Sequence, residues 1–247
     1  MILHRVSERG CEGLCRIGVL VYARDEHVKG VNDMASHDFQ TVLEFWFPDS
    51  GHELALETHS AFWDERMQGG MDEAIIARFA DVTQAAAKGE LDHWADSPRG
   101  RLALIIALDQ FPRSLWRDTP AAFAQDIKAT RLALDGMSNG HFDVLKPWEQ
   151  MFCVIAVTHC EGPDHLERME WLWAKIDQIC THLPDVLAPA EDLIRDQHSR
   201  VLNNIRRFGR HPHRNPILGR PSTLDEEAYI AEGDFPHQRK VAEEVSA

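Results

Sequence analysis

The chain lacks any apolar run near the roughly 18 residues that a membrane-spanning helix requires. It is also short of positive charge, with 26 Lys and Arg against 40 Asp and Glu and a formal charge of −14. That balance argues against nucleic acid and anionic membrane as partners, because phosphate neutralisation needs clustered basic residues. Cysteines are few and irregularly spaced. Cys11, Cys15, Cys153, Cys160 and Cys180 make an odd number, so no disulfide framework is implied. Thiols left free or packed point to a reducing cytosol, and a cytoplasmic location is expected. Neither His-Glu-x-x-His nor Cys-x-x-Cys occurs, so no metal is expected. No residue pattern names a cofactor, and none specifies an oligomeric state. Strict period-two alternation is absent, which leaves no basis for a sheet.

What is present is an ordinary globular composition, 44% hydrophobic and 27% charged over 247 residues. One domain with a full core follows from that length. Residues 1–33 look unlike the rest. Ile17–Ala23 is apolar but too short for a signal-peptide core, and no small-residue cleavage site follows. The reading is a leader over 1–33, with translation starting at Met34, and a single all-helical domain over 34–247. A peptide from residues 1–33 in the native protein would refute that start.

From Ser36 onward the periodicity is helical. Ser36 can cap a helix carrying Phe39, Val42, Leu43 and Trp46. Residues 71–88 form a second candidate, stopped by Gly89. Ser97-Pro98 reads as an N-cap and first turn for Leu102–Leu108, which is apolar all round and therefore central to the fold. Pro120 opens a helix through Phe123, Ile127, Ala129 and Leu134, and Pro147 opens one through Phe152 and Ile155. Helices over 164–181 and 189–208 follow, then a short one capped by Ser222. Short turns marked by Pro or Gly suggest stacked antiparallel hairpins.

Three apolar stripes carry an ionisable residue at spacings of three and four: Leu102, Ile105, Asp109; Phe152, Ile155, His159; and Ile194, His198, Val201. Asp109, His159 and His198 should therefore face inward. They could line a polar cavity fit for general acid–base work. They could equally be structural, with Asp109 paired to Arg113 and each His bonded to a carbonyl. A metal set of His159, Glu161, His165 and His198 is disfavoured, since His159 and Glu161 point apart on a helix. Cys160 beside His159 reads as a packed thiol, because helix neighbours do not face each other.

Residues 206–220 hold five arginines, two histidines and no carboxylate. Arg206, Arg207 and Arg210 suit a helix C-terminus, which favours positive charge. Arg214 and Arg220 lie beyond the Gly209 stop, on a segment stiffened by Pro212 and Pro216. Planar guanidinium donors on such a loop suit a carboxylate or phosphate. Salt bridges to Asp109, Glu161 or Glu226 are the competing explanation.

Taken together, Leu43-Glu44-Phe45-Trp46-Phe47, Leu108-Asp109-Gln110-Phe111-Pro112-Arg113, Ala122-Phe123-Ala124-Gln125-Asp126, His159-Cys160-Glu161 and Arg207–Asn215 with Leu218-Gly219-Arg220 resemble the bacterial DUF924 family. The resemblance runs from about residue 38 to about 232. It implies an all-helical, TPR-like fold and a shared site without naming a reaction. Ser114, Cys160 and His211 depart from the family's usual Asn, Ser and aromatic residues. The expected site has His159, His198, Asp109 and Glu161 as catalytic candidates. Arg113, Arg207, Arg210, His213, Arg214 and Arg220 are the ligand-binding ones. The expected partner is a small anionic molecule to be bound, and transformed if the polar set is catalytic. The alternative is a non-catalytic interaction module gripping a peptide carboxylate.

Overall fold

The computed structural model describes residues 37–233, so the leader expected over 1–33, with Cys11 and Cys15, lies outside the described residues. Those described belong to one compact unit that begins at His37. They contain helices and turns and no strand. In order these are α1 (Phe39–Trp46), α2 (Leu56–Met67), α3 (Asp72–Lys88), α4 (Pro98–Asp109), α5 (Phe111–Leu115) and α6 (Asp126–Ser138). Then come α7 (Pro147–His159), α8 (His165–Trp171), α9 (Trp173–Thr181), α10 (Glu191–Phe208), α11 (Asn215–Leu218) and α12 (Leu224–Glu232). Among the described residues no helix is long and apolar enough to cross a membrane.

The start and stop signals act largely as expected. The Ser97 hydroxyl accepts from the Gly100 amide at 3.2 Å and begins α4. Gly89 and Gly209 close α3 and α10 in the left-handed conformation that costs glycine little. Two caps differ. Asp38 begins α1, accepting from the Gln40 amide, because it sits at the residue before the first helical turn. Thr223 begins α12 through a capping box with Glu226, while the Ser222 hydroxyl is engaged by the Asn215 amide. Longer predicted helices are also subdivided. Pro120–Phe123 and Asp185–Ala190 are 3-10 turns leading into α6 and α10, and the 164–181 helix breaks at Leu172.

Helix α4 is the hub expected from its all-round apolarity. Leu102 through Asp109 are all buried, and α1, α3, α6 and α7 pack against it. Removing a side chain such as Leu104 or Leu108 from water contributes about 1.5–3 kcal/mol each. Gly100 lets the 3-10 turn over Asp92–Asp96 approach closely: a Cβ there would stand 2.3 Å from the Trp94 carbonyl oxygen. On the aromatic side, Phe111 meets Phe45, Trp46 and Phe79, and Phe152 meets Trp46, Phe47 and Trp63. This wall joins the end of α1 to the start of α5 and the middle of α7.

On α6 the buried face is not the predicted one. Ile127 is exposed, while Asp126, Ala129, Thr130, Ala133 and Met137 face inward. The change follows from the broken helix: with Pro120–Phe123 in a separate turn, Phe123 no longer sets the phase of the stripe.

Candidate functional site

Several helix ends converge on one cavity of about 530 Å³. Asp109 ends α4 because Pro112, without an amide proton, cannot continue the ladder and instead sits in the first turn of α5. Arg113 follows one turn on. His159 ends α7 because Gly162-Pro163 prevents another turn. Ile155, one turn before it, shares its face and lines the cavity with it.

Asp109 is fully buried. Its carboxylate accepts from His159 Nδ1 at 2.9 and 3.1 Å, from Gln110 Nε2 at 2.6 Å and, weakly, from Arg113 at 3.5 Å. Burial alone would raise its pKa. The charge and hydrogen bond that His159 supplies, together with Arg113 and Gln110, outweigh burial and hold it below the usual carboxylate range. Asp109 thus orients the His159 ring, which lies on the cavity wall.

A second carboxylate, Asp126, ties two arginines together. It accepts from Arg113 at 2.6 Å and from Arg214 at 3.0 Å. Both guanidinium groups also lie over the Phe123 ring, with centroid distances of 4.8 and 4.5 Å. Burial pushes the Asp126 pKa upward despite both arginines. Arg214 is almost completely buried, and its Nε makes no hydrogen bond.

Much of the Arg/His cluster satisfies the end of α7. The last carbonyls of a helix have no partner within it. Here Thr158 O accepts from both His165 Nε2 and His211 Nε2 at 3.0 Å, and His159 O accepts from Arg214 at 2.8 Å. Arg168 donates to Val157 O and Cys160 O at 3.0 and 2.8 Å. Burial first, and then neighbouring arginine charge, depresses the histidines, His165 to about 4 and His213 to about 3. His211 and His213 line the cavity in these depressed states.

The structure separates the remaining candidates from this set. His198 is buried, as its stripe predicted, but its Nε2 donates to the Met169 carbonyl at 2.9 Å and its ring meets Trp173. It does not line the cavity. Glu161 accepts from both terminal nitrogens of Arg220 and from the His211 amide at 2.7 Å, pinning the loop that follows α10. Arg210 is held by Glu226 at 2.6 and 2.8 Å, and Arg207 lies 3.5 Å from Asp225 on the surface. Glu161, Arg207, Arg210 and Arg220 are thus each paired within the protein, as the salt-bridge explanation expects. Cys160 is a buried thiol whose pKa burial raises. Among the described residues no three His, Cys, Asp or Glu side chains converge as a metal site would require.

Other lining residues carried no individual signal in the sequence. Arg66 comes from the end of α2, a segment with little amphipathic pattern. It lies 3.5 Å over the Phe62 ring, and its buried Nε makes no hydrogen bond. Arg117 also lines the cavity and is paired with Asp72 at 2.6 Å. Asp118 stands exposed at the rim with φ 57°, a left-handed conformation that Asp tolerates better than most side chains. Gln110, Phe123 and Trp46 on the wall, and Asp126 behind the arginines, lie within the family-like motifs, the signal that marks them as parts of a site.

A family model described as a bacterial protein of unknown function, DUF924, matches residues 42–234. Among solved structures the chain is similar to a protein of unknown function, ATU0120, from Agrobacterium tumefaciens. The two are 31% identical with a TM-score of 0.55, covering 66% of this chain and 85% of that one. No curated protein matches.

Proposed function

The chain belongs to the DUF924 family of bacterial proteins, and from that premise and the geometry above we propose that its cavity binds a small anionic metabolite, with His159 moving a proton to or from it. The observation that carries this reading is Arg66. Its guanidinium sits on the cavity wall with a buried Nε that makes no hydrogen bond, while Arg113 and Arg214 face the same space. Buried donors without partners are costly in a protein that has nothing to offer them, and a bound anion would supply the acceptor. Asp109 supplies the chemistry by engaging His159 Nδ1, which in the neutral ring leaves the lone pair on Nε2. That is the arrangement of a general base set by a buried carboxylate.

The TPR-like interaction module is less well supported. Its basic clamp draws on the same cations as the anion reading, and of these Asp225, Glu226 and Glu161 already engage Arg207, Arg210 and Arg220, which leaves no separate set to grip a chain end.

Thermal-shift measurements against a panel of small carboxylates and phosphates test the reading. Members of the panel should raise the melting temperature of the wild-type protein and of His198→Asn, but not of Arg66→Gln. His159→Asn should keep the binding response and lose any turnover found. A flat wild-type response across the panel would sink the proposal.

A further inference from the structure

We infer that the molecule taken by this cavity is a small monocarboxylate with an apolar or aromatic body; the inference rests on the anion reading above and narrows it. It begins with the fixed charges. Asp126 lies between Arg113 and Arg214, and Asp109 stands on the far side of Arg113. Those two carboxylates offset those two guanidinium groups. Asp72 does the same for Arg117. Arg66 has no ion-pair partner of that kind among the described residues: the carboxylate that acts on it, Glu65, is exposed to water, and its buried Nε makes no hydrogen bond. Asp118, though at the rim, is exposed to water, which screens it.

Among the described residues, the fixed charges of these arginines and their carboxylates therefore leave one positive charge in excess. One negative charge completes that set. A second would be taken out of water with no counter-ion, which a buried site tolerates poorly. A carboxylate brings one charge, whereas a phosphate monoester brings about 1.5–2 at neutral pH. The rest of the wall favours an apolar body. Trp46, Phe123, Ile155 and Ile217 line the cavity beside the arginines, and about 530 Å³ leaves ample room beyond a carboxylate group.

Calorimetric titration of the full chain at pH 7.5 with acetate, benzoate, phenyl phosphate and the peptide Gly-Gly-Gly-Phe tests this. Benzoate should bind about tenfold or more tightly than either acetate or phenyl phosphate. Arg66→Gln should weaken benzoate by about tenfold or more, with melting unchanged. The comparison among ligands needs only the wild-type chain, so it survives a variant that fails to fold. Phenyl phosphate binding as well as benzoate would overturn the charge count and leave the anion reading standing. Acetate matching benzoate would overturn the apolar body. A peptide binding more tightly than benzoate would overturn the small ligand in favour of a chain end. If none of the four binds, the anion reading falls and takes this inference with it.

Discussion

Replacing Asp126 with Asn isolates the carboxylate on which two site arginines depend. Asp126 and Arg214 are almost wholly buried, with side-chain exposures of 7% and 5%, and Arg113 is 20% exposed. Removing one partner of a buried pair costs about 3–5 kcal/mol, because the other charge is stranded. Two details reduce that figure. The Asn side-chain carbonyl can still accept from one arginine, and Arg113 retains the Ala122 carbonyl and a long contact with Asp109. A loss of about 2–4 kcal/mol is expected. In a protein of this size that is a fall in melting temperature of roughly 5–15 °C. Urea denaturation at pH 7 should show a lower midpoint with an unchanged slope, since the surface exposed on unfolding is the same. The variant also gains positive charge beside the cavity, so added acetate should stabilise it more than the wild type. A loss under about 1 kcal/mol, with no difference in acetate response, would refute the reasoning. It would mean that burial has already protonated Asp126 and that the arginines are not held by its charge.

Glu226 should contribute to acid sensitivity. Its hydrogen bonds from Arg210, then those from the Thr223 amide, hold its pKa down to about 2. A depressed carboxylate stabilises fully above its unfolded pKa, about 4.3, and that stability is lost as pH falls toward 2. Discounted for partial solvent access at Arg210, the loss should be about 1–3 kcal/mol, and Glu226→Gln should flatten the decline in urea midpoint between pH 5 and pH 3. Gly100→Ala should run against helix propensity. Alanine would ordinarily gain about 1 kcal/mol inside a helix, but here its Cβ would stand 2.3 Å from the Trp94 carbonyl oxygen. A net loss of about 1–3 kcal/mol in chemical denaturation is expected, and a more stable variant would show that the turn can move aside.

The interior positions of Asp109, His159 and His198 were legible because each shares a helix face with apolar residues, and all three are buried. Which of them would meet was not legible. Asp109 and His159 are 50 residues apart in the chain and hydrogen-bonded, while His198 is spent on the Met169 carbonyl. Asp126 was missed for a local reason. The Pro120 turn breaks the helix that its stripe was drawn on, and the inward face shifts by one residue to include it. Arg66 had no pattern to betray it, since α2 has no fully buried residue of its own.

The Arg207–Arg220 segment shows where the division falls. Sequence by itself determined an all-helical chain, the place of α4 at its centre and a concentration of cations after Gly209, because periodicity, caps and charge are local properties. Tertiary structure alone decided what those cations do. Arg207, Arg210 and Arg220 meet carboxylates that pin the loop and α12, while His211 and Arg214 satisfy the carbonyls at the end of α7. Arg113, Arg66 and His159 reach the cavity beside Arg214 from three other elements. An ion pair is a matter of distance in space, and distance between residues far apart along the chain is set only when the helices pack.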